Sequence, residues 1–361
     1  MIDALPERKK IHTIESARGL AAVLVVLYHA NLLCEAGHLR PFDSFFAFGD
    51  CAVDFFFVLS GFIMTWIHYE DWGKPNRALY YLRRRFLRIY PTYWVATFLF
   101  SLPIILMPWI RAGDLSLEPV FFLKNVFLVP TTGYLVIPPA WTLQYEVSFY
   151  LLFSMLIFDR VVGVFVLVSW VAGILLASIV LNNLSFPYSF IFNPLNLQFL
   201  IGMICAFSVH KTPRRAGLVL FALGTLFFFG ASISQVRAPW IWSGFVGDPF
   251  FGAIIKGVAA GMMIVGMVST EINYRLKPGR LLGFLGTSSY SIYLVHLPCM
   301  VGCLLILIAF GILAELRAEF AFIVLAVDGV AAGAVFHRIV ERPLVGLPRN
   351  YAPNSKTFPP K

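Results

Sequence analysis

The chain has 361 residues, 59% of them hydrophobic and 13% charged, with 28 Lys and Arg against 19 Asp and Glu for a net charge of +9. Its mean hydropathy is +0.79. A soluble domain carries about 25% charged residues and roughly half apolar ones, so a soluble enzyme, a secreted disulfide scaffold and a disordered adaptor are excluded. What remains is an all-α polytopic membrane protein, and transporters, channels, receptors and membrane enzymes all fit that description.

Residues 1–13 carry Arg8, Lys9 and Lys10 and resemble the basic start of a signal peptide, but the apolar run that follows is long enough to stay in the bilayer. A transmembrane helix needs about 20 apolar residues. Ten runs of that kind follow one another, at 14–33, 45–67, 89–110, 141–158, 161–181, 195–209, 216–233, 249–268, 281–313 and 320–340, the ninth interrupted at Pro298. One further apolar stretch, 121–137, contains Lys124, Asn125, Pro130 and Gly133, and is expected to be re-entrant or interfacial, its irregular backbone covered by protein. Charge agrees. With ten spans and the N-terminus inside, the connections after Phe158 place twelve basic residues in the cytoplasm and two, Arg237 and Arg317, outside. An eleventh span would invert that ratio, against the positive-inside rule. The expectation is one transmembrane domain over 1–345, a short cytoplasmic tail at 346–361, and both termini in the cytoplasm. The five cysteines, in or beside apolar runs and without a CxxC pair, read as small apolar residues, and no metal site is expected.

An ionised side chain at the bilayer centre costs roughly 2.5–3.5 kcal/mol, so each one within a span asks for a partner or a task. They are Arg18, His29, Asp50, Asp54, Glu146, Lys256, His296 and Asp328. Counted along their helices at about 1.5 Å per residue, His29, Asp50, Asp54, Glu146 and His296 fall at a similar level in the outer half of the membrane. Arg18 and His29 are three helical turns apart on one face of the first span, separated by about 16 Å. His29 reads either as a packing histidine or as a reactive imidazole. Asp50, Asp54 and Glu146 read either as catalytic carboxylates or as partners of buried cations. Lys256 and Asp328 read as structural, pairing or snorkelling.

A second cluster, Arg83-Arg84-Arg85-Phe86-Leu87-Arg88, leads into the third span. Four guanidinium forks in so short a stretch suit phosphate recognition, although a topogenic, headgroup-binding cluster has the same composition. His38 and Asp43 have the His-x4-Asp spacing of glycerolipid acyltransferases, but they fall in an outer loop without a companion motif and are read as chance. Gly-x-Ser-x-Gly, a phosphate-binding P-loop and His-Glu-x-x-His are absent.

The linked motifs resemble the acyltransferase-3 family of membrane O-acyltransferases, and within it the bacterial exopolysaccharide O-acetyltransferases. They run from Glu15-Ser16-Ala17-Arg18-Gly19 to Tyr28-His29, the family's Arg-x10-His element, through Val53-Asp54-Phe55-Phe56-Phe57-Val58-Leu59-Ser60-Gly61-Phe62 and Arg85-x-x-Arg88-Ile89-Tyr90-Pro91. Trp141-Thr142-Leu143-x-x-Glu146-x-x-Phe149-Tyr150, Ser289-Tyr290-Ser291-Ile292-Tyr293-Leu294-x-His296 and Glu341-Arg342-Pro343 follow in order. Ala17 stands where the family commonly has Leu or Ile before the arginine. Some relatives carry a C-terminal esterase-like domain, and a chain ending at Lys361 is expected to act without one.

The resemblance implies acetyl transfer from acetyl-CoA to a hydroxyl of a polysaccharide or lipid-linked glycan, in the bacterial inner membrane and without metal or nucleic acid. Carried over residue by residue, it implies His29 as general base or acyl carrier, with Asp54 or Glu146 orienting its imidazole. It implies Arg18, Arg85, Arg88 and Tyr90 as the CoA-binding set, and Asp50, Trp141, Tyr290 and His296 as substrate-binding or structural support. A proton-coupled secondary transporter of a small solute is the competing class, since such carriers also place Asp, Glu and His at mid-membrane.

Overall fold

The computed structural model describes residues 11–106, 118–181, 184–242, 249–274 and 279–345; the tail expected at 346–361 lies outside the described residues. Among the described residues there is no strand. The α-helices are α1 (His12–Ala36), α2 (Ala52–His68), α3 (Pro75–Leu106), α4 (Pro119–Val126), α5 (Trp141–Phe158), α6 (Arg160–Leu176), α7 (Tyr188–Ile191), α8 (Asn196–Ser208), α9 (Arg214–Arg237), α10 (Pro249–Tyr274), α11 (Arg280–Ala309), α12 (Ile312–Glu315) and α13 (Ala318–Phe336). Among the described residues, nine helical stretches are long and apolar enough to cross a membrane. α5, the fourth expected span, is not one of the nine, because Gln144 and Glu146 dilute its apolar run. It is nonetheless built into the bundle, with Phe149, Phe153, Leu156 and Ile157 fully buried.

Two expected boundaries move. α3 starts at Pro75, before the apolar run expected from 89, so the arginine cluster leading into that run is part of the same helix. The second span splits into a 3-10 segment, Pro41–Cys51, with left-handed backbone at Phe42, Asp43 and Ser44, followed by α2. Asp50 therefore precedes the α-helical register and is exposed, while its neighbour Gly49 packs against Leu24 and Tyr28 of α1.

Helix direction sets which residues share an end of the bundle. α1 runs parallel to α11, with Glu15 against Gly286 and His29 against His296. α2 runs parallel to α8, with Asp54 bonded to Gln198, Val58 against Gly202 and Trp66 stacked on His210. α13 returns antiparallel to α11, so that Gly329 meets Met300 and Glu341, beyond the end of α13, receives a hydrogen bond from Ser291 (2.6 Å).

The 121–137 stretch does not span. α4 ends at Val126 and the chain continues as irregular backbone with Leu128, Leu135, Val136 and Ile137 buried. Such backbone is tolerated at membrane depth only where protein satisfies its polar groups, and here α3 does so. The carbonyls of Asn125, Val126 and Phe127 accept from Tyr93 Oη, Trp94 Nε1 and Tyr90 Oη, each at 2.9 Å. The Asn125 side chain closes the loop by accepting from the Val136 amide (2.9 Å).

In lipid, helix association relies on close packing of small residues rather than on apolar burial. At the α2–α8 contact a Cβ on Gly61 would overlap the Phe199 carbonyl and one on Gly202 would overlap the Val58 carbonyl. Overpacking a core costs about 1–3 kcal/mol when side chains can shift; here backbone stands in the way. Gly202→Val is expected to lower thermal stability in detergent by at least about 3 kcal/mol. Gly252→Ala, where nothing lies within 4 Å, is the control and should leave the melting curve within about 1 kcal/mol of the parent.

Candidate active site

Arg88 of α3 lies four residues after Arg84 and three after Arg85, spacings that put side chains on one helical face. That face lines a cavity of about 890 Å³ with Arg83, Arg84, Arg85 and Arg88. α1 adds Arg18, α2 adds Phe56, Phe57 and Ser60, α5 adds Thr142, Glu146 and Tyr150, and α11 adds Tyr290 and Tyr293. Five guanidinium groups against one carboxylate make its wall strongly positive, an electrostatic setting for a polyanionic ligand.

Several of these groups are held in place. The Arg85 guanidinium lies 5.7 Å from the Tyr81 ring centre and 5.6 Å from that of Tyr150, within cation–π range. Its Nη2 donates to His68 Nε2 (3.3 Å), and His68 Nδ1 donates to Asp71 (2.9 Å). Glu146 accepts from Ser60 Oγ (3.0 Å) and from the Tyr150 hydroxyl. Tyr290 donates to the Ile89 carbonyl (2.9 Å), fixing α11 to α3.

The cavity reaches the ring of Tyr293, whose hydroxyl donates to the Pro139 carbonyl (2.9 Å) and shares a 2.6 Å hydrogen bond with Thr142. Behind that ring, centroid to centroid 6.1 Å, stands His296. Its imidazole is fully buried and lies 3.1 Å, Nε2 to Nδ1, from His29. The pair belongs to α1 and α11, the two parallel helices that also bring Arg18 and Tyr290 to the cavity.

The structure thus gathers Arg18, Arg85, Arg88, Glu146 and Tyr290 around one space, and joins His29 to His296 just beyond it. It separates the other expected site residues. Asp54 does not meet His29: it forms a 2.7 Å ion pair with Lys256 of α10 and receives a hydrogen bond from Gln198 of α8. Lys256, expected to pair or snorkel beside Asp328, is consumed there. Glu146 does not meet His29 either, being bonded to Ser60 and Tyr150 at the cavity wall. Tyr90 is stacked on Phe86 and bonded to Phe127, outside the cavity lining. Trp141 is 41% exposed and packs on Phe57 and Tyr145. Asp43 of the His-x4-Asp spacing is paired with Arg237 (2.7 Å). Tyr150 and Tyr293 were not singled out as site residues, although Tyr150 stands four residues after Glu146 and Tyr293 three before His296, the spacings that share a helical face.

The motifs, the all-helical membrane fold and this site meet in the comparison with known proteins. The acyltransferase domain of the acyltransferase-3 family matches residues 11–335. The chain belongs to the acyltransferase-3 family. It is an acyl-transferring membrane enzyme. The exopolysaccharide production protein ExoZ of Rhizobium meliloti is 28% identical over 320 residues, covering 83% of this chain and 90% of that protein. The peptidoglycan O-acetyltransferase OatA of Listeria monocytogenes is 26% identical over 329 residues, covering 81% of this chain and 49% of that protein. No solved structure matches.

The surroundings of Asp54 make its role measurable. A buried pair broken on one side leaves an uncompensated charge and costs about 3–5 kcal/mol, whereas replacing both partners is often near neutral. Asp54→Ala and Lys256→Met are each expected to destabilise by about 3 kcal/mol or more in detergent melts. The double variant is expected to recover most of that loss, measured in the same melts.

Proposed function

We propose that the protein transfers an acetyl group from acetyl-CoA to a hydroxyl of an exported polysaccharide, working in the bacterial inner membrane with both termini cytoplasmic. The observation that carries this reading is the arginine-lined cavity ending at Tyr293, next to the His29–His296 pair. A volume of about 890 Å³ falls within the roughly 300–1,000 Å³ of small-molecule sites. Its guanidinium groups match the phosphates of the donor. Arg85 and Arg88, with Arg18 in support, hold those phosphates, and the pantetheine arm extends along the apolar wall of Phe56, Phe57 and Met64 toward Tyr293. His29 lies eleven residues beyond Arg18 on α1, a rise of about 16 Å.

At the far end His29 acts as general base. It takes the proton of the acceptor hydroxyl as the oxygen bonds to the acetyl carbonyl carbon; the C–S bond to coenzyme A breaks, and the imidazolium returns the proton to the departing thiolate. The acceptor is read as a polysaccharide or lipid-linked glycan because the relatives are named for exopolysaccharide production and peptidoglycan O-acetylation.

His29→Ala is expected to lower the acetyl content of the surface polysaccharide by at least about 10²-fold, in line with the loss of a positioned base, at unchanged protein level and unchanged acetyl-CoA affinity. Arg85→Gln with Arg88→Gln is expected to weaken acetyl-CoA binding by about 10²-fold or more, two charge-assisted contacts being worth about 1.5–3 kcal/mol each. Isothermal titration of the detergent-solubilised protein measures it. An undiminished affinity would return the arginines to a purely topogenic role, and uptake of solute without acetyl transfer would identify a carrier.

A further inference from the structure

The two histidines carry an assignment that their contacts determine atom by atom. A backbone carbonyl only accepts a hydrogen bond, and a neutral imidazole has one N–H and one lone pair. His296 Nδ1 lies 3.0 Å from the Ile292 carbonyl and 2.8 Å from the Tyr293 carbonyl. It must therefore carry a proton, which leaves the lone pair of neutral His296 on Nε2. That nitrogen faces His29 Nδ1 at 3.1 Å. His29 Nδ1 in turn lies 3.0 Å from the Val25 carbonyl, so it too must be the protonated nitrogen. The chain of donors closes without conflict: His29 Nδ1–H is shared between the Val25 carbonyl and His296 Nε2. A proton on His296 Nε2 would set two N–H groups against each other.

We propose that His296 is a positioning residue for His29: as a neutral hydrogen-bond acceptor it shares the His29 Nδ1–H with the Val25 carbonyl, holds the ring in place and leaves the Nε2 lone pair of His29 as the basic atom of the site. The proposal rests on the reading of His29 as base and deepens it. The carboxylates that fill this role beside other catalytic histidines are engaged elsewhere here, Asp54 with Lys256 and Glu146 with Ser60 and Tyr150. A neutral acceptor suits a buried location, because it adds no second charge to desolvate. It also supports the imidazolium that forms in transfer, since the Nδ1–H it accepts becomes a stronger donor when the ring is charged.

The test is solid-state NMR of the full chain in lipid bilayers with 15N-labelled histidine at neutral pH, the His29 and His296 signals being assigned by their loss in His29→Gln and His296→Leu. The expected spectrum shows both rings neutral, protonated at Nδ1 and unprotonated at Nε2. A proton on His29 Nε2, or an imidazolium at His296, overturns the assignment; if His296→Leu does not fold, the loss of the signal in His296→Gln supplies the assignment. His296→Leu is expected to reduce polysaccharide acetylation about 10²-fold, the lower end of what a positioned base contributes, with acetyl-CoA affinity within about twofold of the parent. In the same variant the Val25 carbonyl alone accepts from His29 Nδ1–H, so the His29 15N signals should shift without a change of tautomer. His296→Gln, whose side-chain carbonyl can accept from His29 Nδ1–H, should recover at least about tenfold of that loss, a recovery that a purely space-filling role does not predict. Unchanged acetylation in His296→Leu also overturns the proposal. Unchanged acetylation in His29→Ala, with the tautomers as expected, would instead remove His29 as base and leave the hydrogen-bond assignment intact.

Discussion

Hydrocarbon offers no hydrogen bonds, so every polar group carried into the bilayer must find its partner within the protein, and the arrangement of this bundle follows from how those partners were found. Asp54 of α2 takes Lys256 from α10 and Gln198 from α8, tying three helices with one carboxylate. Glu146 of α5 takes Ser60 from α2. Glu341, beyond α13, takes Ser291 from α11 and His337 (2.7 Å) from the turn before it. Each acidic group is a fastening between helices that small residues have already brought close. A buried ion pair is weak evidence of net stability, but breaking it on one side is expensive, so these fastenings fix which helices are neighbours.

The arginines behave differently because they outnumber the acids available to them. Arg83, Arg84, Arg85, Arg88 and Arg18 face a common space, with Glu146 the one carboxylate among the described residues that line it. Tyr80 and Tyr81 stand beside Arg84 and Arg85, giving aromatic faces where carboxylates would otherwise be needed. An excess of positive charge held rigidly around a cavity is poised for an anion, and the energy that holds it there is supplied by the packing of α1, α3, α5 and α11. With the acids engaged as fastenings, the imidazole at the far end of the cavity is left with another imidazole as its neighbour.

Much of this was legible in the chain. Nine of the ten apolar runs correspond, in chain order, to helical stretches long and apolar enough to cross a membrane among the described residues. The Pro130 and Gly133 interruptions marked 121–137 as something other than a span, and the structure shows that Tyr90, Tyr93 and Trp94 are what make its irregular backbone tolerable. The depth arithmetic placed Arg18 and His29 on one face because eleven residues is close to three turns. It missed the break at Asp50, since it assumed one continuous helix from residue 45 where a 3-10 segment precedes α2. It also failed to pair the charges. Asp54 and His29 count to the same level, yet level along the membrane normal says nothing of position around a helix bundle, and Asp54 turns toward α8 and α10.

The sequence by itself determined the class of molecule, the helices, the arginine face and the histidine of α1, because hydropathy and helical periodicity are local properties of a chain in a bilayer. Which carboxylate serves as a fastening, which tyrosines and arginines share a cavity, and which group stands beside His29 were decided only by the tertiary structure. Those are contacts between residues up to 267 positions apart, fixed by the packing of α1 against α11 and of α2 against α8, and a one-dimensional pattern carries no record of which helices are neighbours.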